Sequence, residues 1–349
     1  MKKKVVIIGG GFAGTHVAKH LEKSFDVVLI DTKDYFEFTP GILRTIVEPE
    51  HIRKIQVLHS HYLTRSKIVV GSVLDVNDKE VILKNKKIGF DYLIVSSGSN
   101  YNSPIKEQHV VTATRASHLR DCYDRLCKAD KILIVGGGIV GVELAGEICW
   151  KYGDKDITIV HSGEKLISRN DKRTIECAER WLKKKGVRIV CNERIVDFDE
   201  KKGVYKSDKG EEYRADMAFL CTGIKPNYEF MKKNFSKHLN GKHQIEVDKY
   251  LRLEGKENIF AVGDVSGVKE EKTAQNAKRQ AKIIVHNLNA LESNGKLCEY
   301  KNEGRMMVIS LGKNNGVLEY KRIVFSGWIP GVMKGLIERW EMMKKKKIT

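Results

Sequence analysis

KILIVGGGIVGVELAGE, residues Lys131 to Glu147, reads as an apolar strand that runs into a glycine turn and then a helix. An earlier stretch, KVVIIGGGFAGTHVAKHLE at Lys4 to Glu22, is built the same way. In both, G-x-G-x-x-G directly follows the strand: Gly9, Gly11 and Gly14 in the first copy, Gly136, Gly138 and Gly141 in the second. Glycines at that spacing permit the tight turn and a close approach of backbone to phosphate, and the helix start offers unpaired amide donors to the anion. The chain therefore carries two candidate cradles for dinucleotides.

Each cradle extends along its own repeat. In the first, DVVLID at Asp26 to Asp31 reads as the next strand, and Asp31 stands about where an acid binds a ribose hydroxyl pair. VSSG then ends at Gly98, 89 residues after Gly9, and in the second copy LCTG ends at Gly223, 87 residues after Gly136. The second strand of that copy, DITIVH, ends in His161. An acid there would favour an unphosphorylated ribose and repel a 2′-phosphate, so its absence admits NADPH as well as NADH. Lys165 and Arg169 are candidates for such a phosphate, or simply solvated surface. The candidate cofactor-binding residues are Gly9, Gly11, Phe12, Ala13, Gly14, Asp31, Lys33 and Gly98 in the first cradle. In the second they are Gly136, Gly138, Ile139, Val140, Gly141, Glu143, His161 and Gly223. Two such sites suit a held flavin and an exchangeable nicotinamide, which must meet face to face for hydride transfer.

Between the landmarks of each copy lie short alternating runs with turn residues, VVGSVLDVNDKEVILKNKKIGFDYLIV and RIVDFDEKKGVYKSDKGEEYRADMAFL, read as antiparallel insertions before the closing strand. After the second copy, ENIFAVGDVSG is a buried-looking strand ending in Gly263 and Asp264. The helical spacing of Ala277, Ala281, Ile284 and Leu288 follows. Beyond about Tyr300, RMMVISL and VLEYKRIVF read as two strands. In the tail, GWIPGVMKGLIERWEMMKKKKIT, apolar Val332, Met333, Leu336, Ile337, Trp340 and Met343 recur at helical spacing opposite Lys334, Glu338, Arg339 and Glu341. Pro330 suits the start of that helix. The expected fold is α/β: two Rossmann-like dinucleotide-binding domains with a small C-terminal α+β segment ending in an amphipathic helix. The expected division gives a discontinuous domain of residues 1–108 and 242–299 to FAD, 109–241 to NAD(P)H, and 300–349 to membrane association or dimerisation.

The 349 residues suit two or three domains, and 41% hydrophobic with 31% charged content is ordinary for a folded chain. A net charge of +18 favours anionic partners, with phosphate groups, nucleic acid and anionic lipid all admitted. Seven cysteines with no C-x-x-C signal neither a disulfide framework nor a zinc site, so reduced thiols inside a cell are expected and no metal site. MKKKVVIIGGG has too short an apolar run for a signal peptide, and no run approaches the roughly 18 residues that span a bilayer.

The glycine motif with Asp31, the repeated GGGIVGVELAGE, CTGIKPN and IFAVGD resemble the two-dinucleotide-domain flavoproteins of the glutathione-reductase-like type. More narrowly, DYFEFTPGILR, KTAQNAKRQ and MMVISLGKNNGV resemble apoptosis-inducing-factor-like and ferroptosis-suppressor-like NAD(P)H:quinone oxidoreductases, which are similar to type II NADH dehydrogenases. The resemblance covers almost the whole chain. It implies FAD with NADH or NADPH as cofactors, Asp31 on the adenosine ribose and Asp264 on the ribityl chain. It places Glu143 near the nicotinamide end, where the residues alone suggest only a solvated helix position. It sets Thr273, Ala274 and Gln275 at a helix start aimed at the flavin pyrimidine ring, where a helix amino end stabilises the anion left by hydride arrival. Glu143 and Gln275 are thus the catalytic candidates. Phe38, Thr39 and Pro40 would lie along the other flavin face, open to quinone.

There are departures. Sulfide:quinone reductases need cysteines on the acceptor side, and none falls in the FTPGIL or AVGDV neighbourhoods. The tail is shorter than in many type II dehydrogenases. Its helix would lie in a membrane surface, with Trp328 and Trp340 at the interface and Lys344 to Lys347 drawn to anionic lipid, or else pack on its own domain or a second copy. The expected function is hydride transfer from NAD(P)H to FAD and on to quinone, by a cytoplasmic protein peripherally bound to a membrane. The alternatives are a soluble reductase of a small redox protein and, with no recognised module to support it, a nucleic-acid-binding flavoprotein.

Overall fold

The structure, a computed structural model, describes residues 1–102, 105–106, 112–304 and 306–346. The expected domain limit at 108/109, together with Lys347 and the terminal Ile348 and Thr349, lies outside the described residues. The apolar runs form strands because Val and Ile suit a pleat covered on both faces. Strand β1 (Lys4–Ile8) leads into helix α1 (Phe12–Leu21) and then β2 (Asp26–Asp31), β3 (Lys67–Val70) and β4 (Tyr92–Val95). A short helix α2 (Ile42–Val47) sits between β2 and β3, and α3 (Thr112–Lys128) leads to the second unit. That unit runs β5 (Lys131–Val135), α4 (Ile139–Lys151), β6 (Asp156–Val160), α5 (Lys172–Lys184), β7 (Arg188–Val190) and β8 (Met217–Leu220). The chain then returns: β9 (Ile259–Ala261) pairs with β4, completing a parallel sheet in the order β9-β4-β1-β2-β3. The second parallel sheet has the order β7-β6-β5-β8.

Both sheets carry the expected antiparallel layer, Val73–Val76, Glu80–Leu83 and Lys86–Gly89 in the first copy, Ile195–Asp199, Val204–Ser207 and Glu212–Arg214 in the second. Helix α6 (Ala274–Glu292) buries Ala277, Ala281, Ile284 and Leu288, the stripe its spacing predicts, and packs along α1.

The C-terminal segment departs from expectation in two ways. VLEYKRIVF is not one strand but a hairpin: β10 (Met306–Ser310), β11 (Gly316–Tyr320) and β12 (Ile323–Gly327) form an antiparallel sheet, with Lys321 at positive φ (53°) making the turn. Helix α7 (Trp328–Lys346) turns Lys334, Glu338 and Glu341 of its charged stripe inward, leaves Arg339 exposed, and carries most of its apolar stripe outward. Glu341 pairs with Lys278 of α6 at 2.7 Å, Glu338 with His51 at 2.9 Å, and Lys334 with Glu143 of α4 at 2.7 Å. Outside stand Trp328 (67% exposed), Leu336 (58%) and Trp340 (54%), joined by Ile323 (64%) of β12. Among the described residues no helix is long and apolar enough to cross a membrane.

Candidate functional site

The two glycine turns are built alike. Gly9 and Gly136 have positive φ, 101° and 111°, and a Cβ on either would collide with the backbone of the closing strand's end, Ser96 or Cys221. Gly14 and Gly141 touch the carbonyls of Gly9 and Gly136, which lets each helix pack directly on its strand. Gly11 and Gly138, the N-cap residues of α1 and α4, instead face open space. No side chain caps either helix, so the first amides, including those of Phe12 and Ala13 and of Ile139 and Val140, keep their donors for a ligand. Close packing at the outer glycines and space over the middle one fit a diphosphate at both turns.

The acid and its replacement take equivalent posts. Asp31 accepts from the amide of Gly10 and, at 2.9 Å, from that of Lys33. His161 Nδ1 accepts from the amide of Gly137 at 3.2 Å, and burial holds the imidazole below its ordinary pKa. Lys33 thus supports Asp31 through its backbone, while its ammonium lies 5.3 Å from the centre of the Tyr35 ring. Beneath the first turn His59, fully buried and held by Tyr62 Oη at 2.7 Å, is pushed by burial down to about 4.

The ends of β4 and β9 complete the first cradle. Gly98 has φ 67°, and Asp264, in the turn after β9, accepts from Ser99 Oγ at 2.6 Å. The amide of Gly263 donates to Gln280 of α6 at 2.7 Å, tying that turn to the helix whose N-cap is Thr273. Thr273 Oγ accepts from Asn276 N at 3.2 Å, and Ala274 and Gln275 form the partly exposed first turn. Gly223, at φ 103°, faces open space at the end of β8.

Glu143 is not a solvated helix position. It is buried, accepts from Ser310 N at 2.9 Å and from Lys334 at 2.7 Å, and so joins α4, β10 and α7. Its neighbour Glu147 holds Arg44 of α2, with Nη2 at 2.7 Å. Arg44 follows the turn Thr39–Gly41, and Phe38 before that turn is buried against Phe12, ring centres 5.6 Å apart. The Glu338 carboxylate lies against Gly41. Glu37 forms a buried pair with Arg115 at 3.2 Å; burial alone would raise its carboxyl, and the guanidinium together with Lys33 and Gln56 more than reverses that.

The expected lysine cluster is divided. Lys345 turns inward, donating to Thr15 Oγ at 2.9 Å between the rings of Phe36 and Tyr62, and burial takes its ammonium down to about 7. Lys346 donates to the Arg53 carbonyl, and Lys344 covers Trp340. Lys345 is therefore not available to lipid. Sequence reasoning also missed Arg44 and Lys334, because the partner of each is distant along the chain. No disulfide joins any of the seven cysteines, and among the described residues no group of three His, Cys, Asp or Glu side chains could hold a metal.

This arrangement, two matched nucleotide turns on paired parallel sheets, defines a class. A family model described as pyridine nucleotide-disulphide oxidoreductase matches residues 3–281, and the chain belongs to that family. Within it, the chain is 34% identical to apoptosis-inducing factor homolog B of Dictyostelium discoideum, over 91% of this chain and 89% of that one. It is 31% identical to ferroptosis suppressor protein 1 of Homo sapiens, over 90% and 87%. Among solved structures it resembles NDH2 from Plasmodium falciparum in complex with NADH, TM-score 0.83 at 16% identity, covering 99% of this chain and 98% of that one. The sulfide:quinone oxidoreductase of Aquifex aeolicus gives TM-score 0.85 at 17% identity, over 99% and 91%. At these identities the structures speak for the fold alone.

Proposed function

We propose that the chain is an NAD(P)H:quinone oxidoreductase: FAD lies in the first cradle, NADH or NADPH enters the second, and quinone is reduced beside the Phe38–Gly41 turn. The observation that carries this reading is the presence in one chain of two glycine turns with packed outer glycines and open amide donors. FAD, when bound, supplies the relay, taking a hydride from the nicotinamide and giving an electron pair to the acceptor.

The chain's own residues then bind and orient. The amides opening α1 take the diphosphate, Asp31 the adenosine ribose, and Asp264 the ribityl chain. Thr273, Ala274 and Gln275 present a helix amino end where negative charge develops, which stabilises it without reorganisation. In the second cradle the α4 amides, His161 and Gly223 hold the coenzyme. Glu143, its charge balanced by Lys334, orients groups at the nicotinamide end. We assign residues 1–108 and 242–299 to the FAD domain, 109–241 to the NAD(P)H domain and 300–349 to membrane association; the return of β9 to the first sheet supports the split. The outward apolar face of α7 and β12 favours a lipid surface from which quinone enters, whereas a soluble reductase would use that face against a partner protein.

The test is an anaerobic absorbance titration. Purified protein should show a flavin band that NADH or NADPH bleaches and a short-chain quinone restores. Absence of a flavin band, with no uptake of added FAD, refutes the reading.

A further inference from the structure

Lys106 stands where the strand ends of the first cradle converge. Its ammonium is 3.1 Å from Ser99 Oγ, 3.6 Å from Asp264 Oδ2 and 3.7 Å from the place a Cβ on Gly98 would take. Those residues border the start of α1: the Gly9 turn abuts Ser96 and Ser97, and Gly263, next to Asp264, faces Ala13 across 4.0 Å. The side chain is only a quarter exposed, and burial pulls the ammonium below its ordinary pKa against the attraction of Asp264. Among the described residues Ser99 and Asp264 are its polar partners, fewer than the three donors an ammonium carries.

Charge gives this position a purpose. A diphosphate brings two negative charges into a space that already holds Asp264. The α1 amino terminus offers about half a positive charge. Lys33 has its ammonium turned over the Tyr35 ring, and Arg115 is committed to Glu37. We propose that Lys106 is a further cofactor-binding residue, the cation that receives the diphosphate of the dinucleotide in the first cradle and shields it from Asp264. The inference rests on the assignment of FAD to that cradle. Lys106 binds and positions; it takes no part in electron transfer.

The experiment uses the full chain stripped of flavin by chaotropic dialysis and titrated with FAD by flavin fluorescence quenching, with thermal melts of the flavin-free protein in parallel. Lys106→Met should raise the FAD dissociation constant at least tenfold, and Lys106→Arg should recover most of that loss. The flavin-free melting temperature of Lys106→Met should equal or exceed that of the unsubstituted chain, because a desolvated ammonium has been removed. Raising the salt concentration should weaken FAD binding by the unsubstituted chain more steeply than by Lys106→Met, because only the former has the charge to screen. FAD binding by Lys106→Met within threefold of the unsubstituted chain overturns the inference while leaving the cradle assignment standing. So does a lowered flavin-free melting temperature with no recovery by arginine, which would make Lys106 a structural tether. Failure of the unsubstituted chain to bind FAD overturns the cradle assignment itself.

Discussion

Gly11→Ala separates folding from nucleotide binding in the first cradle. Gly11 has φ −78° and ψ −157°, a conformation open to alanine, and a Cβ there meets nothing within 4 Å. Its cost to folding is the loss of a favoured N-cap, about 1 kcal/mol or less. The same Cβ projects into the space over the α1 amides, where it blocks the approach of a diphosphate. Losing one or two charge-assisted hydrogen bonds, about 1.5–3 kcal/mol each, weakens FAD binding by at least about tenfold, and by at least about a hundredfold if both go. Gly14→Ala is the counterpart. Its Cβ would stand 2.6 Å from Ser96 Oγ and closer still to the carbonyl of Gly9. Helix α1 must move off its strand, at about 1–3 kcal/mol or more. Urea unfolding of the flavin-free proteins and FAD titration read the two effects independently. If Gly11→Ala binds FAD within threefold of the unsubstituted chain, the diphosphate does not lie over the α1 amino terminus and the argument fails.

Gly138→Ala should keep the flavin spectrum and lose its bleaching by NADH or NADPH; unaltered reduction would move the nicotinamide site elsewhere. Glu143→Ala leaves the partly buried Lys334 without its counter-ion and should lower unfolding free energy in urea by about 3 kcal/mol, and Glu143→Gln by less; equal stabilities would show that the pair is solvated. His59 stays neutral in the folded protein to about pH 4, whereas the unfolded chain takes up its proton near pH 6.5, so stability falls as pH drops through that interval. The slope approaches about 1.4 kcal/mol per pH unit for this group. His16, which burial pushes to about 3, and His161 and His238, which burial also lowers, add slopes of the same sign. His59→Gln should therefore remove its share and leave a shallower slope, and an unchanged slope refutes the assignment. The double substitution Leu336→Ser and Trp340→Ser removes two outward side chains whose burial is worth about 1.5–3 kcal/mol each. Flotation with anionic liposomes should fall at least tenfold while turnover with a soluble quinone is retained; unaltered flotation would direct the face to a protein partner.

Much of this molecule was legible before folding. The two glycine turns, their strands and the hairpin layers are local patterns, and the continuous apolar run of IFAVGD marks a buried strand, but its pairing with the first sheet is a long-range contact that no local pattern specifies. The roles of Phe38 and Gln275 came from resemblance. What sequence could not supply lies at long range. Glu143 and Lys334 are 191 residues apart, and Arg44 and Glu147 are 103. Periodicity correctly found two faces on the last helix and could not say which one turns inward, because that depends on Glu143, His51, Lys278 and Thr15 already standing where the charged face docks. The inward course of Lys345 was hidden for the same reason, since four consecutive lysines look alike until one of them meets two aromatic rings.

Helix α7 is also the part of the chain that the ribosome makes after everything it completes. Until Lys334 emerges, Glu143 has only a backbone amide to hold its charge, and until Lys345 arrives the space between Phe36 and Tyr62 has no stopper. Loss of that one helix during synthesis or by proteolysis would therefore remove contacts from both halves together, at Glu143 of the second and at Thr15 of the first.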